Sequence, residues 1–219
     1  MFYLNYFNSR GGLDFIRLAE RHTGGARPNI ALPSPLCNYF TGGIYTNGSY
    51  PHYIYVPYRV SEVVCAPVNI SIPLCLSSQF SGCAMAYFEY DRLGAFIAHI
   101  SLESTTPDAK AVWNNFIKTE QRNISRYIIF KPYRHDTAMS NFVMRCANYL
   151  DYYCIGLITP DYDCFSLLVH KEKPMLNIPM TLISYEKVTP PFCHRSDNLK
   201  YESSLKRFFI PKHPNRTRW

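Results

Sequence analysis

The chain has 219 residues, 47% hydrophobic and 18% charged, a balance that excludes a compositionally disordered protein despite its 16 prolines. Aromatic residues reach 16%, mostly Tyr and Phe, which favours strands over a helical bundle. The formal net charge of +7 admits an acidic protein, nucleic acid or an anionic membrane surface as partner and by itself chooses none, while no uninterrupted apolar run approaches the ~20 residues that span a bilayer.

The length suits a single domain, expected over 1–199, followed by a basic aromatic tail over 200–219. The N-terminus carries no charged-then-apolar leader, so the expectation is a soluble chain. Eight cysteines are too dilute for a disulfide scaffold, and Cys37, Cys65, Cys75, Cys146, Cys154, Cys164 and Cys193 mostly lie in apolar contexts that suit buried, reduced thiols. The glycosylation sequons at Asn47, Asn69, Asn123 and Asn215 have meaning only in a secretory pathway, for which the sequence holds no signal.

In chain order, apolar Leu13, Ile16 and Leu18 alternate with charges, which predicts an N-terminal helix over 12–23 closed by Gly24-Gly25. From 28 to 60 prolines, glycines, asparagines and tyrosines alternate, and the region reads as irregular, edge-like strands with short runs at Ile44 and Tyr53–Val56. Val68 to Ile72 alternates strictly, as a half-buried strand does, and Pro73 stops it. Two apolar runs, Cys83–Tyr90 and Ala95–Ile100, bound the turn Asp91-Arg92-Leu93-Gly94, which predicts a hairpin over 83–100. A turn centred near Asp91 places Cys83 opposite His99 at the open end, within a slip of a few residues.

Thr106 then caps a helix with Pro107 at its first position, and Ala109, Val112, Trp113, Phe116 and Ile117 form its apolar stripe. Tyr127–Phe130 reads as a strand, and Ser140 caps a second helix with Phe142, Val143, Cys146, Ala147, Tyr149 and Leu150 inward. Cys154–Ile158 and Phe165–Val169 are strands joined by a turn at 160–163, and Met180–Ile183 is a last strand. No internal repeat is present. In the tail, Lys200, Lys206, Arg207, Lys212, Arg216 and Arg218 face one acid, Glu202. Such ends are usually solvated. Phe208, Phe209 and Trp219 could stack on bases or pin the tail to the domain, but no nucleic-acid motif accompanies them and nucleic acid is not the expected partner.

The chemistry rests on Cys83. A cysteine acts as a nucleophile when it is partly exposed, its thiolate is favoured and a base is within reach. Ser81 and Gly82 are small residues that leave backbone N–H groups beside the sulfur, where they can hold a developing oxyanion. His99 can take the thiol proton and return it to a leaving group. A third group must orient the imidazole, and Ser77 and Ser78 are close enough in sequence to do so. A buried structural cysteine beside a core histidine accounts for the same pattern. Cys193-His194 lacks ligand spacing, and with no Cys-x-x-Cys or His-x-x-x-His a structural zinc site is not expected. Neither a Walker nor a dinucleotide glycine pattern occurs.

Phe80-Ser81-Gly82-Cys83, the strand-turn-strand, Ala98-His99-Ile100 and the later Trp113 together resemble the signature of the cysteine-dependent protein-glutamine deamidase superfamily. That superfamily includes the Burkholderia lethal factor, the cytotoxic necrotizing factor catalytic domain and CheD. Ser77 stands six residues before the cysteine, where that family places a threonine. The resemblance implies an α/β (α+β) domain, a central mixed β-sandwich with flanking helices and its active site at one end of the strands, with 1–199 as the catalytic domain.

It also implies an activity. Cys83 would attack the side-chain amide of a protein glutamine, with N–H groups near Ser81 and Gly82 holding the oxyanion. His99 would protonate departing ammonia and activate the water that hydrolyses the thioester, and Ser77 would be the third catalytic position. No metal or organic cofactor is required, and the partner is a host or cellular protein bearing the target glutamine. A toxin or effector secreted without a classical signal peptide and acting in the host cytosol is the expected setting, with the bacterial cytoplasm as the alternative. Transglutamination and peptide hydrolysis need the same residues, and a non-enzymatic interaction protein using its basic tail is the competing class.

Overall fold

The computed structural model describes residues 30–46, 53–68, 74–80, 82–102, 108–133, 152–170, 181–190 and 193–194. In chain order these form β1 (Thr41–Gly42), β2 (Tyr45–Thr46), β3 (Tyr53–Val56), β4 (Val63–Val68), β5 (Leu74–Phe80), β6 (Ala84–Tyr90), β7 (Gly94–Ile100), α1 (Ala109–Glu120), β8 (Ile124–Phe130), β9 (Tyr152–Ile158), β10 (Cys164–His170), β11 (Thr181–Val188) and β12 (Cys193–His194). The strands make two six-stranded sheets, β1-β4-β7-β6-β8-β12 and β11-β10-β9-β5-β3-β2. Both are mixed: β1 runs parallel to β4 and β3 parallel to β5, among otherwise antiparallel pairs.

Alternation along β6 and β7 separates two cores. Ala84, Ala86, Phe88, Phe96, Ala98 and Ile100 point to one face of the first sheet, where Trp113 and Phe116 of α1 and Phe40 cover them. Met85, Tyr87 and Ile97 point to the other face and meet the second sheet through Ile54, Val56, Cys75 and Cys154. Asp108 starts α1 by accepting a hydrogen bond from the Lys110 amide at 2.9 Å, so Asp108 holds the cap assigned above to Thr106. The far end of the helix is tied down by Glu120, whose carboxylate accepts from Tyr39 at 3.1 Å, Tyr90 at 2.6 Å and Asn123 at 2.9 Å.

The architecture is thus mixed α+β and mostly sheet. The expected flanking helices were overstated, because α1 is the one α-helix among the described residues. The helices predicted over 12–23 and from Ser140, and the 200–219 tail, lie outside those residues. Several strands are longer than their local patterns: β8 begins at Ile124 and β11 reaches Val188. Within β4 the strand runs on through Pro67, which is exposed and opposite Phe96. The parallel partner β1 reaches only Val64 and Cys65, so the missing proline N–H deprives no described partner of a bond.

β5 was not anticipated, although it positions the site. Leu74, Leu76 and Ser78 on one face and Cys75 and Ser77 on the other are all buried, and a strand buried on both faces shows no polar-apolar alternation to read. No helix among the described residues is long and apolar enough to cross a membrane.

Candidate active site

The hairpin forms as expected, with a register two residues away from the one that opposes Cys83 to His99. Tyr90 pairs with Gly94 across the three residues Asp91, Arg92 and Leu93, and the ladder then places Met85 opposite His99 and Ala84 opposite Ile100. Arg92 at φ 65° and Gly94 at φ 96° give the left-handed conformations such a turn needs. Cys83 therefore stands two residues from direct opposition to His99. Since strand side chains repeat with period two, it shares its face with Met85 and His99. That face looks onto the second sheet, and Cys83 belongs to the apolar cluster between the sheets.

His99 is held from the second sheet. Its Nδ1 lies 2.7 Å from Ser77 Oγ, and Ser77 Oγ donates at 2.6 Å to the backbone carbonyl of Val56 in the neighbouring parallel strand. A serine hydroxyl has one proton. The Val56 carbonyl can only accept, so Ser77 must accept from His99, and the ring carries its proton on Nδ1. The lone pair is then on Nε2, which is fully buried and has no hydrogen-bond partner among the described residues. An imidazole in this tautomer presents Nε2 as a base.

Around this chain of bonds the surroundings are buried and aromatic. The Phe80 ring stacks on the imidazole with centroids 4.4 Å apart and planes 10° apart, and Tyr58 packs at 5.3 Å and 59°. Burial alone pushes His99 down to about 3, because a desolvated imidazolium is disfavoured. The ring is thus neutral across the physiological range, while the same burial weakens it as a proton acceptor. Lys131, just past the end of β8, is half-buried. Burial lowers its ammonium below the usual lysine range, while its interaction with the Cys83 sulfur works the other way.

The sequence reading expected a partly exposed nucleophile, yet Cys83 is 2% exposed and His99 0%. Gly82 is half-buried, with open space where a Cβ would project. It has no positive φ, so its backbone is not confined to glycine. Ser81 lies outside the described residues. Burial pushes the thiols of Cys75, Cys154 and Cys164 up to about 12 and that of Cys65 higher still. Cys37, expected to be buried, is exposed.

The structure brings together His99, Ser77 and the face bearing Cys83, and it adds Val56, Phe80, Tyr58 and Lys131. The backbone carbonyl of Val56 left no trace in the sequence, because a carbonyl is common to every residue and its placement depends on a parallel pairing. Phe80 was visible only as part of the Ser-Gly-Cys motif. Among the described residues no group of three or more His, Cys, Asp or Glu could hold a metal ion.

No protein-family model matches the chain, and no curated protein matches it. Among solved structures it is similar to the crystal structure of the C-terminal domain of CNFy from Yersinia pseudotuberculosis, at 10% identity and a TM-score of 0.29, over 63% of this chain and 62% of that one. The chain thus spans less than two thirds of that neighbour, and the functional reading is left to the side chains themselves.

Proposed function

We propose that the protein is a cysteine-dependent protein-glutamine deamidase that acts as a toxin or effector on a protein of a host cell. The observation that carries this reading is the relay from His99 Nδ1–H through Ser77 Oγ–H to the Val56 carbonyl, which leaves Nε2 without a partner among the described residues, on the face that carries Cys83.

In the proposed reaction Nε2 takes the thiol proton as Cys83 Sγ bonds to the amide carbon of a glutamine. The carbonyl oxygen becomes an oxyanion held by N–H groups near Ser81 and Gly82. His99 passes its proton to the amide nitrogen, the C–N bond breaks, and ammonia leaves a thioester. Nε2 then deprotonates a water that attacks the thioester, and the returning proton restores the Cys83 thiol with glutamate as product. The buried sulfur requires an opening before a glutamine side chain can enter. An amine in place of water would give transglutamination through the same thioester.

One observation favours a different class. The near-complete burial of Cys83 and His99 is also what a core pair in a non-enzymatic interaction protein would show. Intact and tandem mass spectrometry of host-cell proteins incubated with wild-type chain and with Cys83→Ser separates the two. The enzyme reading expects glutamine-to-glutamate conversion only with the wild type. A folded Cys83→Ser variant that keeps the full biological effect of the wild type would exclude it.

A further inference from the structure

We propose that Phe80 is a positioning residue for His99, turned onto the imidazole by a β-bulge at Gln79; this deepens the Cys83–His99 reading and rests on it. Cys75 faces the cluster between the sheets, and Ser77 faces it too, through its bond to His99. Ser78 points the other way and bonds to Tyr55. Continued alternation sends Phe80 out with Ser78. The pairing with β9 shows why it does not: Ser78 pairs with Ile155 and Phe80 with the next residue, Cys154. Gln79 is therefore an extra residue, and a bulge of this kind re-aims the side chain that follows it.

Phe80 consequently joins the inward cluster and stacks on His99 at 4.4 Å with planes 10° apart. The facing strand makes room for the ring. A Cβ on Gly156 would lie 3.1 Å from Phe80 Cε2 and 2.6 Å from the sulfur of Met85, the residue paired with His99.

The stack has two consequences for a base. A parallel aromatic ring holds the imidazole plane, so Nδ1 stays on Ser77 and Nε2 keeps its direction. The ring also covers one imidazole face against water, and its π-cloud lies against the imidazolium that forms when the thiol proton is taken up, an attractive arrangement. A ring serving only to fill volume would be replaceable by an aliphatic side chain without effect on either.

The test uses the full chain with Cys37→Ser, to remove the one thiol exposed among the described residues, and carries ¹⁵N-histidine. His99 signals are assigned by their loss in His99→Gln, and the rate of Cys83 alkylation by iodoacetamide is followed by peptide mapping. The expected result is a single Nδ1–H tautomer in the parent. In Phe80→Leu, which keeps apolar bulk, the tautomer signals average and alkylation slows about tenfold, within the range that misorientation costs. Phe80→Met fills the same space and is read the same way if the leucine variant does not fold. An unchanged tautomer and alkylation rate in a folded Phe80 variant overturns the positioning role while the Cys–His reading stands. An alkylation rate indifferent to His99→Gln sinks both together.

Discussion

Ser77 decides which nitrogen of His99 carries the proton. Its hydroxyl has one proton, that proton goes to Val56, and the imidazole must donate. Ser77→Ala would leave the Nδ1–H buried without an acceptor, at a cost of about 1–3 kcal/mol. It would also free the ring to exchange tautomers, slowing Cys83 alkylation about 10- to 100-fold, the range in which loss of an orienting partner lowers activity. Ser77→Thr keeps the hydroxyl and is expected to restore the rate. An alanine variant with the parental rate would show that the relay does not orient the base. At this scale the sequence was informative about residue types and poor about environment. Cys83, His99 and Ser77 could be singled out, but that Cys83 would be buried rather than partly open could not, because burial is set by strands far away in the chain.

At the scale of elements, two features carry the site and both can be tested by stability. α1 covers the helix-side core of the hairpin through Trp113 and Phe116, and its first turn depends on Asp108, whose carboxylate accepts from the Lys110 amide. Asp108→Ala is expected to cost about 1 kcal/mol, read as a lower denaturant midpoint with an unchanged slope. Gly156 permits the close approach of the two sheets beside His99. Gly156→Ala puts a methyl 2.6 Å from Met85 Sδ and 2.8 Å from Pro132 Cγ. The methionine tip can move, but the proline ring cannot, so overpacking of about 1–3 kcal/mol is expected. A midpoint within error of the parent would mean that the sheets part more readily than this geometry implies. The hairpin was legible because its strands are local and its turn is signalled. The strand before it was not, because a doubly buried segment after a proline lacks any period.

For the whole molecule, acid is the informative variable. Burial pushes His99 down to about 3 in the fold, against about 6.5 in an unfolded chain. Between those values the unfolded chain binds a proton that the folded chain refuses. Stability is therefore complete above about pH 6.5 and falls as the pH drops toward 3. Two carboxylates add to the loss lower in that window. Burial opposes ionisation of Glu89, but the Arg126 guanidinium at 2.6 Å and the Tyr87 hydroxyl outweigh it and hold the carboxyl below its usual range. Burial of Glu120 is likewise outweighed by Tyr90, Asn123 and Tyr39. Denaturant midpoints measured from about pH 7 down to about pH 5, where histidine and not carboxylate titrates in the unfolded chain, should fall more steeply for the wild type than for His99→Gln. Parallel curves would contradict the buried neutral imidazole.

The sequence by itself determined a strand-rich chain, the α1 stripe, the hairpin with its turn at Asp91–Gly94, and the pairing of one cysteine with one histidine as the place to look for chemistry. Those follow from residue type and short-range period, which physics reads locally. Tertiary structure decided the register that sets Met85 opposite His99, the bulge that turns Phe80 inward, the closure over Cys83, and the Ser77–Val56 relay. All but the hairpin register join strands distant in the chain, and a hydrogen bond to a backbone carbonyl or a shift in pairing leaves no pattern in the order of side chains.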